Sequence, residues 1–118
     1  MLVRRKALES IDFGGLKIFD YTAQFESDSS LALIEVPPGA NHAEAWSRRS
    51  DKYYLVVSGE IEFALGNEEY TLAEGDFCFV KKGQRFKYRN SSSIPTTLVL
   101  VHSPSFDLES EIFVAENV

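Results

Sequence analysis

Only a few side chains in this sequence have the chemistry to move a proton or hold an ion near neutral pH. The two histidines, His42 and His102, are the only ones in the chain, and histidine alone titrates in that range without help. His42 stands two residues before Glu44 in a polar stretch, and His102 closes the apolar run TTLVLVHS. Two imidazoles and a carboxylate form a donor set able to hold zinc or iron with water completing the shell. A histidine and a glutamate in a polar segment are more often solvated or hydrogen-bonded locally. A second group lies in KYYLVVS and RFKYR. Strand side chains repeat every two residues, so Lys52, Tyr54 and Val56 share one face, and Phe86 and Tyr88 share another. An amine and two phenols are general acid–base candidates, although core packing of the tyrosines and a lysine reaching to water are the plain structural alternatives. No serine or cysteine nucleophile has a recognisable base. The lone Cys78 lies in FCFV and reads as a buried, inert thiol.

The elements that must position these groups are strands. Glycines at 39, 59, 66, 75 and 83 punctuate short runs with alternating apolar residues, the pattern of strands joined by turns. Leu2, Val3, Leu8 and Ile11 suggest an edge strand or arm. Leu16–Phe25 alternates as a strand, Asp28-Ser29-Ser30 turns, and SLALIEV is a strand ended by Pro37-Pro38-Gly39. Residues 40–51 are polar and read as irregular. KYYLVVS, EIEFAL, EYTL, FCFV, RFKYR and TTLVLVHS follow as strands, with a hairpin turn at Gly66-Asn67. The tail SPSFDLESEIFVAENV is expected to form a helical turn or to fold back over a barrel mouth. Many short strands at regular spacing point to a closed or double-sheet antiparallel architecture.

The glycine spacing resembles the two motifs of the cupin superfamily. The first runs from Gly39 to Gly59 and places Ala45 and Ser47 at the family's two histidines and Lys52 at its glutamate. The second runs from Gly75 to Asn90 and places Lys81 at the proline, Gly83 at the glycine, Phe86 at the third histidine and Asn90 at the asparagine. The resemblance implies an all-β fold, a double-stranded β-helix or jelly-roll cupin barrel, as one domain over residues 1–118. It also implies that the family's metal site is lost. Ala45 and Phe86 offer no donor, Ser47 a weak one, and the Lys52 ammonium opposes a cation, so no cofactor is expected. The alternative set of His42, Glu44 and His102 needs a shift of its loop.

If the family's inward direction holds here, the barrel is lined by Lys52, Tyr54, Phe86 and Tyr88, with Ser47 nearby and Trp46 capping a pocket or a partner surface. Arg85, Lys87 and Arg89 then point outward as a solvated basic stripe. Such a pocket suits a small anionic or sugar-like molecule bound without metal: rings stack on aromatics and the lysine supplies charge. Two alternatives stay open. One is a metal-independent isomerase, epimerase or lyase on a keto sugar or related carbonyl compound, with an amine desolvated among aromatics stabilising an enolate. The other is a metal-bound, dioxygenase-like cupin using His42, Glu44 and His102.

Bulk properties narrow the partners. The 118 residues carry a net charge of −6, which disfavours non-specific attraction to nucleic acid. No apolar run is long enough for a bilayer, and the start MLVRRKALES lacks a secretory apolar region, so a cytoplasmic protein is expected. A homodimer is expected too. The N-terminal strands and the outer face of KYYLVVS (Tyr53, Leu55 and Val57) offer apolar surface, and family precedent points the same way.

Overall fold

The computed structural model describes residues 1–114. Among them, eleven strands follow in order: β1 Ile11–Phe13, β2 Leu16–Asp20, β3 Ser30–Val36, β4 Asn41–Ser47, β5 Asp51–Ser58, β6 Glu60–Leu65, β7 Glu68–Ala73, β8 Phe77–Val80, β9 Phe86–Arg89, β10 Thr96–Ser103 and β11 Glu111–Phe113. They build two sheets, ordered β1-β2-β3-β10-β5-β8 and β11-β4-β9-β6-β7, and every strand pair is antiparallel. This is the expected all-β jelly-roll architecture. Among the described residues, helical structure is limited to two three-residue 3-10 turns, Arg5–Ala7 and Leu108–Ser110. Among the described residues, no helix is long and apolar enough to cross a membrane.

Period-two alternation decides what is inside. Tyr54 and Val56 on β5, Ile61 and Phe63 on β6, Phe86 and Tyr88 on β9, and Leu98 and Leu100 on β10 meet in one core with Leu16, Ile34 and Val36. Burying a side chain such as Phe63 contributes about 1.5–3 kcal/mol. The opposite face of the six-stranded sheet is apolar but open to solvent, with Tyr53, Leu55, Val57, Phe77 and Phe79 all exposed.

Two turn positions explain why the glycine and asparagine spacing matters. Gly59 has φ +83, and a Cβ there would sit 2.6 Å from Thr96 Oγ1 and 2.9 Å from the Pro95 carbonyl. Only glycine fits both the backbone angle and the space. Asn90 is fully buried and locks three segments together. Its Nδ2 donates to the carbonyls of Val36 (3.0 Å) and Ile94 (2.7 Å), and its Oδ1 accepts from Ser92 N–H and Oγ–H.

Two expectations about elements need correction, and a third is met. The strand expected over Leu16–Phe25 stops at Asp20, because the Asp20 carboxylate accepts from both the backbone N–H and the hydroxyl of Thr22 and turns the chain. The polar stretch read as irregular is in fact a strand, β4, whose residues 45 and 47 are buried. Its pairing with β9 has a register irregularity between His42 and Ala45, which breaks the simple alternation. Of the tail's two expected forms, both occur: a 3-10 turn, then β11 folded back against β4. Residues 115–118 of that tail lie outside the described structure.

Candidate functional site

The barrel's polar interior is assembled from three strands. Alternation on β5 turns Lys52 inward next to Tyr54, and alternation on β10 turns His102 inward beyond Leu100. In register these two residues face each other, His102 opposite Lys52. The third member arrives from the tail. β11 pairs with β4 through Glu111–Ser47, Ile112–Trp46 and Phe113–Ala45, which brings Glu111 to the inward position beside Ser47. The Lys52 ammonium, only 3% exposed, donates to Glu111 Oε1 and lies 2.8 Å from His102 Nε2. Its third N–H has no recorded hydrogen-bond partner among the described residues, and the Phe86 ring lies 5.3 Å away.

Burial sets the electrostatics of this cluster. Desolvation lowers the Lys52 pKa against the opposing pull of Glu111. Desolvation and the Lys52 charge together drive His102 down to about 3, so its imidazole is neutral at ordinary pH. With an ammonium donating to Nε2, the ring proton of His102 sits on Nδ1.

A wall of aromatic rings runs from this cluster to the solvent edge. Tyr54 meets Phe63 edge-on at 5.1 Å and Tyr88 edge-on at 5.7 Å between ring centroids. His42 completes the wall, with centroids 4.9 Å from Phe86 and 5.2 Å from Tyr88, and Phe13 and Phe113 pack over its outer side. His42 Nδ1 lies 2.6 Å from the Ala43 carbonyl. A carbonyl only accepts, so Nδ1 carries the proton and Nε2 keeps its lone pair. Burial lowers the His42 pKa, opposed by that same hydrogen bond. The Tyr88 hydroxyl is buried with no hydrogen-bond partner among the described residues, and burial pushes its pKa well above the usual phenol range. Tyr54 is pushed up in the same direction, also by burial first. Both phenols are therefore neutral donors.

The structure gathers Lys52, Tyr54, Phe86 and Tyr88 on the inner wall, each at most 3% exposed. Ser47 is also buried, but its hydroxyl accepts the N–H groups of Arg49 (3.1 Å) and Ser50 (2.9 Å) and serves the β4–β5 turn. Trp46 does not line the barrel. It alternates to the outer side of β4, half-buried, with the Arg48 guanidinium 5.9 Å from its ring. Arg85, Lys87 and Arg89 border a groove of about 1060 Å³ over the outer face of β6 and β9, to which His42 and Tyr88 also contribute. There Arg89 pairs with Glu62 at 2.9 Å. Cys78 is buried, its thiol pushed up to about 11 by desolvation. Glu111 was missed by sequence reasoning. A buried lysine demands an acidic partner, but eighteen acidic residues are available, and nothing local singles out the one in ESEIF.

The donor chemistry does not fit a metal ion. Ala45 and Phe86 carry no donor, the Ser47 hydroxyl is engaged, and the ammonium of Lys52 stands among the remaining polar atoms. The alternative set is not brought together. His102 Nε2 is occupied by Lys52, His42 points into the aromatic wall, and Glu44 neighbours inward Ala45 and so alternates outward. Among the described residues no three His, Cys, Asp or Glu side chains are grouped to hold a metal.

Comparison with known proteins places this architecture. A family model described as a cupin domain matches residues 32–102. The tetracenomycin polyketide synthase protein TcmJ of Streptomyces glaucescens is 32% identical over 74 residues, 63% of this chain and 50% of that protein. The chain spans about half or less of the curated relatives it matches. Among solved structures, that of Pac13, described as a unique nucleoside dehydratase, superposes with a TM-score of 0.82 at 23% identity, covering 98% of this chain and 93% of that one. The protein TT1209 from Thermus thermophilus superposes with a TM-score of 0.73 at 26% identity, covering 89% and 98%.

Proposed function

Because the chain belongs to the cupin family, whose barrel here presents side chains rather than a metal-ligand set, we propose that it is a metal-independent enzyme doing acid–base chemistry on a small, ring-bearing, oxygen-rich molecule. The reaction class is elimination or isomerisation next to a carbonyl or hydroxyl. One observation carries the reading: the Ala43 carbonyl fixes the His42 tautomer so that Nε2 is a free base, next to a buried Tyr88 hydroxyl with no partner among the described residues. A histidine with lowered pKa is neutral and ready to accept a proton at pH 7. Phenols with raised pKa donate hydrogen bonds to oxygen without ionising. His42 Nε2 takes a carbon-bound proton, Tyr88 and Tyr54 donate to the substrate's oxygen, and the aromatic wall stacks its ring. Structures of Streptomyces PAC13 with uridine include one variant with a histidine replaced by glutamine and two with a tyrosine replaced by phenylalanine, and that likeness of fold supports a nucleoside or sugar-derived substrate here.

The experiment is proton exchange in deuterated water, followed by NMR, with uridine, carbonyl derivatives of uridine and a set of keto sugars. Wild type is expected to bind at least one and exchange a carbon-bound proton. His42→Asn should keep binding and lose exchange by about a hundredfold or more, the size of a general-base contribution. Exchange that persists in His42→Asn overturns the assignment. A second reading, binding without turnover, is favoured by one fact: the Lys52 amine is tied to Glu111 and His102. Binding with no exchange in wild type would select it.

A further inference from the structure

From the Lys52–His102–Glu111 cluster we infer that Glu111 sets the ligand preference of the barrel: the site takes a neutral carbonyl or hydroxyl oxygen at Lys52 and rejects an anion. This rests on the small-molecule reading above and names the ligand's chemistry. A buried lysine alone would suggest an anionic ligand. Here its charge is already answered, because Glu111 Oε1 accepts from Lys52 Nζ with both side chains nearly closed off from water. Ammonium with carboxylate, or amine with carboxylic acid, sums to zero either way. His102, 2.8 Å from Nζ on its other side, adds no charge at ordinary pH. A second anion placed against Nζ would therefore meet Glu111 in a poorly screened interior, where like charges repel strongly.

The geometry also says what is left to bind. A lysine ammonium has three N–H donors and no acceptor. His102 and Glu111 take two. The third has no hydrogen-bond partner among the described residues, and the Phe86 ring, packed against Tyr54, stands 5.3 Å from Nζ. A single neutral oxygen satisfies it, and no counter-charge is needed. Glu111 reaches this place from β11, a three-residue edge strand held to β4 alone, so the last described strand determines the sign of the charge a ligand can bring.

Benzamide and benzoate test this, since they share a shape and a ring and differ in charge. Both are titrated into the full chain and followed by backbone amide NMR. Wild type is expected to bind benzamide at least tenfold more tightly than benzoate, with shifts at residues 52, 86 and 102. Glu111→Gln keeps an oxygen acceptor for Lys52 but removes the carboxylate, and should move the ratio toward benzoate by at least tenfold. Glu62→Gln, on the outer face, should leave it unchanged. Equal or tighter binding of benzoate to wild type, an unchanged ratio in Glu111→Gln, or no binding of either probe at millimolar concentration overturns the inference; the wild-type ratio decides even if the variant does not fold. No turnover is measured, so failure of the acid–base reading would appear as lost exchange with this ratio intact.

Discussion

Removing Lys52 should expose how the barrel interior balances its charges. In Lys52→Met the carboxylate of Glu111, whose side chain is only 7% exposed, loses the ammonium that compensates it. His102 Nε2, 3.9 Å from Glu111, is too far to take over the hydrogen bond that the ammonium donated. Breaking a buried pair by deleting one partner costs about 3–5 kcal/mol. Glu111→Leu strands the ammonium instead and should cost about 3 kcal/mol. The double variant Lys52→Met/Glu111→Leu leaves no buried charge unpaired, only His102 Nε2 without its donor, and puts two apolar side chains in the core. Its cost should be below about 2 kcal/mol, because buried pairs replaced by apolar residues of similar volume are often neutral. The double-mutant cycle should therefore show coupling of about 4 kcal/mol. Urea unfolding measures it. With slopes of about 1–3 kcal/mol/M, each single variant should move the midpoint down by roughly 1–5 M, and the double variant by less than either. Costs that add to within about 0.5 kcal/mol would refute the reasoning and place the two groups in independent surroundings.

Further outcomes follow from other parts of the molecule. His102 is held neutral to about pH 3 when folded against 6.5 when unfolded, so the unfolded chain binds the extra proton between those values. Stability should fall as pH drops through that window by about 1.4 kcal/mol per unit, with His42 adding in the same direction; a flat urea midpoint from pH 6.5 to 4 contradicts this. Tyr88→Phe removes a buried hydroxyl that has no partner among the described residues and should raise stability by about 1 kcal/mol while reducing proton exchange, a separation that thermal unfolding and the exchange assay read together. Gly59→Ala forces a Cβ to 2.6 Å from Thr96 Oγ1 at φ +83 and should cost about 3 kcal/mol or more; a midpoint within error of wild type would show that the turn relaxes freely. Sedimentation at micromolar concentration should show a dimer, with Leu55→Asp on the exposed apolar sheet face shifting it to monomer.

What the sequence disclosed and what it hid have physical reasons. EIEFAL alternates strictly, so burial and strand were legible together, while parity put Lys52 with Tyr54 and Phe86 with Tyr88 on shared faces and the cupin resemblance supplied their inward direction. Parity breaks in β4, where the register irregularity between His42 and Ala45 and a run of polar side chains disguised a strand as a loop. Trp46, expected to cap a pocket or a partner surface, turns outward, as the inward positions of Ala45 and Ser47 on either side of it require. His42 was noticed for its chemistry and expected at a metal, in solvent or hydrogen-bonded locally, and the local bond, to the Ala43 carbonyl, is there. Its true surroundings, rings from β1, β9 and β11, are a tertiary fact that no local pattern records. Glu111 was hidden by distance, since fifty-nine positions separate it from Lys52 and only the return of the tail joins them.

The outward turn of Trp46 has an optical consequence. It is the one tryptophan in the chain, and in register it lies opposite Ile112 on the short strand that carries Glu111. Indole emission depends on how much water reaches the ring, and the half-buried ring belongs to a residue whose cross-strand neighbour is on β11. The protein thus carries its own fluorophore on the seam between the barrel and its closing strand. Red-shifted emission would mark β11 leaving β4, and stopped-flow mixing with a ligand could time that movement without any label.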